Sequence, residues 1–193
     1  MLDFIRGEIV ELTPTTLVLE ISGIGFELNI SLQSFSQLQD VKSGQVYVHE
    51  VIREDAHLLF GFTTKEERDI FRQLISVSGV GANTARMILS SMSSDEVRNA
   101  IASENVESLK SIKGIGAKSA QRIIVDLKDK VNKSSDISQI FKQVDNTIKE
   151  EALSALEILG FSRKQGEKVI DKILAGDSSL PVEELIKQAL KLL

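Results

Sequence analysis

Leu74-Ile75-Ser76-Val77-Ser78-Gly79-Val80-Gly81-Ala82-Asn83-Thr84-Ala85-Arg86-Met87-Ile88 returns 35 residues later as Leu109-Lys110-Ser111-Ile112-Lys113-Gly114-Ile115-Gly116-Ala117-Lys118-Ser119-Ala120-Gln121-Arg122-Ile123. Leu, Ser, both Gly, both Ala and Ile coincide in the two copies. Each copy reads as a helix, a Gly-apolar-Gly turn and a second helix. Glycine lets the backbone take torsions closed to other residues and lets a ligand approach without meeting a Cβ. The amides after the second glycine open a helix, where unpaired N–H groups and the helix dipole favour an anion.

This is the helix-hairpin-helix pattern, and a tandem pair is far more specific than a single copy. The anion it suits is a nucleic-acid phosphate. Candidate contacts are Gly79, Gly81, Asn83, Thr84 and Arg86 in the first copy, and Gly114, Gly116, Lys118, Ser119 and Arg122 in the second. Contacts of this kind hold the phosphate backbone and not base edges, so binding is expected to be independent of sequence. By contrast, Ser22-Gly23-Ile24-Gly25 joins two strand-like runs and reads as a hairpin turn.

Upstream of the repeat the pattern has period two. Leu17, Leu19 and Ile21 alternate, as do Phe26, Leu28 and Ile30, and Val46, Val48 and Leu58–Phe62 extend the series. Five or six short strands at this spacing predict a small OB-type β-barrel over residues 1–63. Past Thr63 the period becomes helical. Thr63 or Thr64 caps a helix whose first turn carries Glu66 and Glu67, and further helices are expected at 84–91, 94–102 (starting at Ser94), 105–111 and 119–130. Residues 132–147 are polar and read as a linker, although Ile137, Ile140, Phe141 and Val144 keep a helical spacing. Helical periodicity returns over 148–193. Gly160-Phe161 suggests a Schellman ending, Ser162 with Gln165 a capping box, and Pro181 the start of a last helix. The chain is thus expected to be a multidomain β + α protein: an OB-like barrel, a tandem helix-hairpin-helix domain (64–131) and a small three-helix domain.

The 193 residues carry 23 Lys+Arg against 28 Asp+Glu, a net charge of −5, which on its face argues against a nucleic-acid ligand. The total conceals a division. Residues 1–63 hold 3 basic and 9 acidic side chains, residues 64–131 hold 11 and 9, and residues 132–193 hold 9 and 10. The acidity lies in the barrel, away from the repeat. Without cysteine, disulfides, thiolate metal sites and thiol nucleophiles are excluded, and only His49 and His57 offer imidazole. Apolar runs are short, and Met1–Val10 lacks the basic-then-apolar order of a signal peptide, so a cytoplasmic protein without a membrane span is expected.

Barrel, twin hairpins, linker and terminal helices together resemble the RuvA family, bacterial subunits that bind Holliday junctions for branch migration. The resemblance runs the full length. Its most specific pieces are Arg53-Glu54-Asp55-Ala56-x-x-Leu59-Phe60-Gly61-Phe62, Gly79-Val80-Gly81, Gly114-Ile115-Gly116-x-Lys118 and the opening Met-Leu-x-x-Ile-x-Gly.

The resemblance implies a homotetramer, or two face-to-face tetramers, in which each subunit's hairpins grip one arm of a four-way DNA junction. Glu54 and Asp55 match the family's acidic pin, whose carboxylates gather at the tetramer centre and repel phosphates at the crossover. Residues 148–193 match the module that binds the motor hexamer RuvB, with Leu156, Leu159, Phe161, Ile170 and Leu185 as apolar candidates for that contact. Most of these are equally expected to fill the small domain's own core. The RuvC resolvase is a further implied partner. ATP hydrolysis would belong to RuvB, since no Gly-x-x-x-x-Gly-Lys-Ser/Thr occurs in the chain, and no cofactor or metal is implied.

One departure concerns the first hairpin. Many family members carry Pro-Lys where this chain has Ala82-Asn83, so that hairpin is expected to grip more weakly or to lean on Arg86. The competing class is a DNA repair enzyme of the helix-hairpin-helix type, a glycosylase or nuclease. Its acid would be Asp126, the one acidic residue near the second hairpin, which fits a solvated or capping role better. A single-strand binder would need exposed aromatics to stack bases, and eight Phe, one Tyr and no Trp at mostly buried-looking positions do not suit it.

Overall fold

The computed structural model describes residues 2–140, 147–176 and 180–193. They form two compact units, Met1–Asn132 and Lys133–Leu193.

The first unit begins with five strands: β1 (Phe4–Leu12), β2 (Thr16–Ile21), β3 (Ile24–Ile30), β4 (Ser43–Ile52) and β5 (His57–Phe62). They close a barrel in the order β1-β2-β3-β5-β4, with β3 and β5 parallel and the other pairs antiparallel. The period-two reading holds. Leu17, Leu19, Leu28, Ile30, Val46 and Val48 point inward and are fully buried. Ser22 and Gly23 take φ values of +52° and +84°, the left-handed pair of a two-residue hairpin turn. A helix not anticipated from periodicity, α1 (Leu32–Leu38), follows β3, and Ser31 caps it by accepting from the Ser34 amide.

Strand β5 serves two cores at once. Leu59 and Gly61 face the barrel, where a Cβ on Gly61 would lie 3.1 Å from Val46 Cγ1. Phe60 and Phe62 face the other way and pack against Phe71, with ring centroids 5.0 and 4.9 Å apart. Phe71 lies on α2 (Lys65–Ile75), which starts at Thr64, whose side chain accepts from the Glu67 amide. Glu66 stays exposed in that first turn, but Glu67 turns inward and is only 5% exposed. It accepts from the hydroxyls of Ser31 and Ser34, the latter at 2.7 Å. Burial pushes the Glu67 carboxyl above the usual carboxylate range, and the serine and Thr63 hydrogen bonds pull it back only in part. Next to it, Arg68 donates to the Asp3 carbonyl and carboxylate at 2.7 and 2.6 Å and stacks on Tyr47. The α2 helix is thus fixed to the barrel by one buried carboxylate and one buried guanidinium.

Three more helices lie within the unit, α3 (Ala82–Ser91), α4 (Ser94–Ala102) and α5 (Val106–Lys110), and α6 (Ala117–Ile140) begins in it and runs on past Asn132. The α4 cap is Ser93, not Ser94, because Ser93 stands three residues before Glu96 and completes a capping box with it. Helix α6 runs to Ile140, so residues 132–140, polar in composition, are helical. Phe141 and Val144 lie outside the described residues.

The second unit contains α7 (Thr147–Ile158), α8 (Arg163–Leu174) and α9 (Val182–Leu192) around Ala152, Leu153, Leu156, Ile170, Ile173, Leu185 and Ala189. The α7 helix ends in a Schellman motif: Gly160 has φ +99°, its amide bonds the Glu157 carbonyl, and the Phe161 amide bonds the Leu156 carbonyl. Gln165 accepts from the Ser162 amide and hydroxyl at 3.4 and 2.7 Å, as a capping box requires of its glutamine. Pro181 stands at the N-cap, one position ahead of the first helical residue. Among the described residues no helix is long and apolar enough to cross a membrane.

Candidate nucleic-acid interface

The two repeats fold alike, bond for bond. Val77 N–H donates to Leu74 O at 3.1 Å and Ile112 to Leu109 at 3.3 Å; Val80 donates to Val77 at 3.0 Å and Ile115 to Ile112 at 3.1 Å. Ala85 donates to Gly81 O at 2.9 Å, and Ala120 to Gly116 O at 3.0 Å. The shared apolar positions Leu74 and Leu109, Ala85 and Ala120, and Ile88 and Ile123 are all fully buried. The repeated letters are therefore the core that holds both hairpins.

The glycines divide into two kinds. Gly79 and Gly114 have φ of +87° and +89°, the left-handed region that a side chain rarely enters. Their presence follows from the turn itself. Gly81 has an ordinary extended conformation, φ −86° and ψ 167°, and a Cβ built there would meet nothing within 4 Å. Gly116 likewise has open space around it. Neither second glycine is required by packing inside the protein. What a missing Cβ provides at both is clearance outside it.

That clearance lies over two uncapped helix starts. Serine, threonine or asparagine side chains cap α1, α2, α4 and α5 by accepting an amide hydrogen. Helix α3 begins on Gly81 with no side-chain cap, and Gly116 before α6 has no side chain to supply one. The first-turn amides at 82–84 and 117–119 are left for an external acceptor, and the helix dipole makes an anion the favoured one.

Flanking charge differs between the two sites. Lys113 and Lys118 are exposed beside the second hairpin, with Ser119 half-buried. Asn83 is exposed beside the first and Thr84 is half-buried, so the first repeat's own turn supplies no cation. Arg86 is directed elsewhere: its Nη1 donates to the Thr15 carbonyl at 3.1 Å and to Asn29 Oδ1 at 3.2 Å, both on the barrel. Arg122 reaches across to the other repeat and donates to the Ser78 carbonyl at 3.0 Å, next to Gly79. Its counterpart in the first repeat, Met87, reaches the opposite way, and its Cε would stand 3.2 Å from a Cβ on Gly114. Each hairpin is thus braced by a side chain of the other repeat.

Both arginines thus bond protein carbonyls through Nη1, Arg122 from an exposed position. The signal that would have redirected Arg86 is tertiary, since its acceptors lie 71 and 57 residues away along the chain.

Glu54 and Asp55 lie exposed at the tip of the β4–β5 hairpin, which the Arg53 amide closes on the Ala56 carbonyl at 2.8 Å. Asp126 is exposed on α6. Of the apolar residues singled out in 148–193, Leu156, Ile170 and Leu185 are core, with no more than 1% of their surface exposed, which leaves them nothing to present to a partner. Leu159 is 56% exposed and Phe161 half-buried. Ile158, not singled out from sequence, is 87% exposed. Helical periodicity alone does not separate it from its buried neighbours, because it lies in the last turn, where α7 leaves the core.

Comparison with known proteins matches the chain in three consecutive parts. Residues 1–61 match the RuvA N-terminal domain, residues 71–129 the SAM-like helix-hairpin-helix tandem, and residues 147–193 the RuvA C-terminal domain. The chain is 54% identical, over 99% of both sequences, to the Holliday junction branch migration complex subunit RuvA of Christiangramia forsetii. Identity to the subunits of the same name from Flavobacterium psychrophilum and Bacteroides thetaiotaomicron is 49% and 46%, again over 99% of each chain. With three domain models matched in order and full-length relatives at this level of identity, the chain belongs to the RuvA family.

Proposed function

We propose that this chain is the junction-binding scaffold of a branch-migration complex. It holds a four-way DNA junction through the phosphates of its arms, without regard to sequence, and performs no chemistry itself. The observation that carries this reading is the pair of second glycines, Gly81 and Gly116: neither is needed by packing or backbone strain, and each clears the approach to an uncapped helix start. A phosphate is the ligand that uses both the clearance and the amides.

The rest of the reading rests on the family. Residues 1–63 form the barrel with its pin, 64–131 the DNA-gripping part, and 148–193 the module that recruits the motor. Four chains assemble around the junction, so that Glu54 and Asp55 from each meet at the crossover. Phosphates forced toward that acidic centre are repelled, which keeps the strands apart and the junction open and square. Exposed Ile158 and Leu159 with Phe161 offer an apolar contact for the RuvB motor hexamer, which hydrolyses ATP. RuvC resolvase acts on the same cytoplasmic complex. Tethering four weak phosphate-binding units gives the assembly an affinity that no single hairpin has.

Gel shifts of the full chain on a four-way junction and on linear duplex of equal length test the proposal. Tighter binding to the junction, falling steeply with salt as counterions are released, is expected. Equal affinity for the two substrates defeats it. Combining Glu54→Gln with Asp55→Asn should strengthen duplex binding by removing the repulsive element, and unchanged or weaker duplex binding would show that these carboxylates do not act as a pin.

A further inference from the structure

The arginine of the first repeat is turned toward the barrel through Nη1, and its bonding continues past its first acceptors. Arg86 Nη1 donates to Thr15 O and Asn29 Oδ1. Asn29 in turn donates through Nδ2 to the Leu59 carbonyl on β5 at 3.2 Å. Strand β5 leads directly out of the Glu54–Asp55 turn, and β3, which carries Asn29, pairs with β5 in parallel at Asn29–Phe60. One helical turn beyond Arg86, Ser90 accepts from the Leu32 amide at 3.1 Å and donates to the Arg86 carbonyl at 2.8 Å. A continuous set of hydrogen bonds therefore runs from the helix that begins at hairpin one to the strand that carries the acidic turn.

We infer that Arg86 and Asn29 are positioning residues, which set the distance between the first hairpin and the acidic turn and so help the protein tell a junction from plain duplex. This inference rests on the reading of the hairpins and the turn given above. Duplex binding needs only the hairpins. Junction binding also needs the carboxylates placed at the crossover while the hairpins hold an arm. An error in the spacing between the two should cost junction affinity and leave duplex affinity alone. Two hydrogen bonds from one guanidinium nitrogen to oxygens at separate places on the barrel suit the role, because together they fix direction as well as distance.

The decisive variant is Asn29→Leu, because it removes the acceptor and leaves the Arg86 charge in place. Its junction affinity should fall by about tenfold, the worth of a hydrogen bond to a charged group, with duplex affinity and the duplex salt dependence unchanged. Arg86→Met should behave alike. If Arg86 instead contacts phosphate, Asn29→Leu frees it and strengthens both substrates, whereas Arg86→Met weakens both and flattens the salt dependence; either result overturns the inference.

A second readout does not involve DNA. The chain has no cysteine, so Asp55→Cys and Asn83→Cys place two spin labels on one chain, diluted among unlabelled copies. The distance distribution between them should broaden on Asn29→Leu, and an unchanged distribution overturns the inference. Should the unsubstituted chain bind junction and duplex equally, the scaffold reading fails; the spin-label distances still report whether the tie exists.

Discussion

From Ser78 to Thr84 the first hairpin carries no charged side chain, and the arginine that follows is directed to the barrel. Between Lys113 and Lys118 the second hairpin carries two exposed cations, on a backbone with the same hydrogen bonds. The two copies of one motif thus divide the work. Hairpin one is anchored through Arg86 and Ser90 and has only a cation lent by the other repeat, Arg122; hairpin two carries two cations of its own. Since the amides and the glycine clearances are common to both, the difference separates what the backbone gives a phosphate from what the side chains add.

The largest effect tests the shared part. Gly81→Ser and Gly116→Ser each supply a favourable N-cap hydroxyl, which bonds the amides that a phosphate would use. Stability should hold or rise by a few tenths of a kcal/mol, while DNA affinity falls by about tenfold in each variant. Thermal melting with gel shifts checks both halves, and retained affinity in either variant removes that hairpin's amides from the interface.

An intermediate effect tests the unshared part. Lys118→Gln should lower the magnitude of the salt slope of duplex binding by about 0.9 for each phosphate left without its cation, and Asn83→Lys should raise it by the same amount. Binding titrations across a salt series measure this directly. If Lys118→Gln leaves the slope untouched, the charge difference between the hairpins has no bearing on DNA.

The smallest effect concerns the anchoring, through Glu67 at the joint between α1 and α2. Its folded pKa lies above its unfolded one, so the folded state keeps the proton to higher pH. The contribution is most favourable below the unfolded value, near pH 4.3, and is lost as pH rises through the folded value. Urea unfolding followed from about pH 4 to about pH 8 should show Glu67→Gln losing that part of the decline, by less than about 1 kcal/mol once the hydrogen bonds to the two serines re-form. Curves that stay parallel would mean that Glu67 is ionised at no cost in the fold.

Much of this was open to a reading of the sequence, for physical reasons that differ by region. Strands with one face in a barrel must alternate, so β2 and β3 were legible residue by residue. The repeat was legible because two copies must bury the same positions. Helix α1 was not, since seven residues make too short a periodic signal, and its defining contact, the serine pair on Glu67, joins positions more than 30 apart. Side-chain direction was the other blind spot. Arg86 and Arg122 stand in helices beside phosphate-type turns, and nothing local reveals that each also bonds a carbonyl, 71 and 44 residues away. The same holds for Leu156 and Leu159, both apolar and near the end of α7, one in the core and one outside it.

The two-faced strand β5 bears on how this molecule can be taken apart. Phe60 and Phe62 complete the helical core, while Leu59 and Gly61 complete the barrel, so a cut between barrel and hairpins would leave each side with an open wound. The hairpin pair cannot be lifted out as a cassette at residue 63, nor the barrel grafted onto another reader, without rebuilding that wall. Residues 1–132 should therefore melt in a single cooperative transition and diverge as one piece, with change in either half held in check by the strand they share.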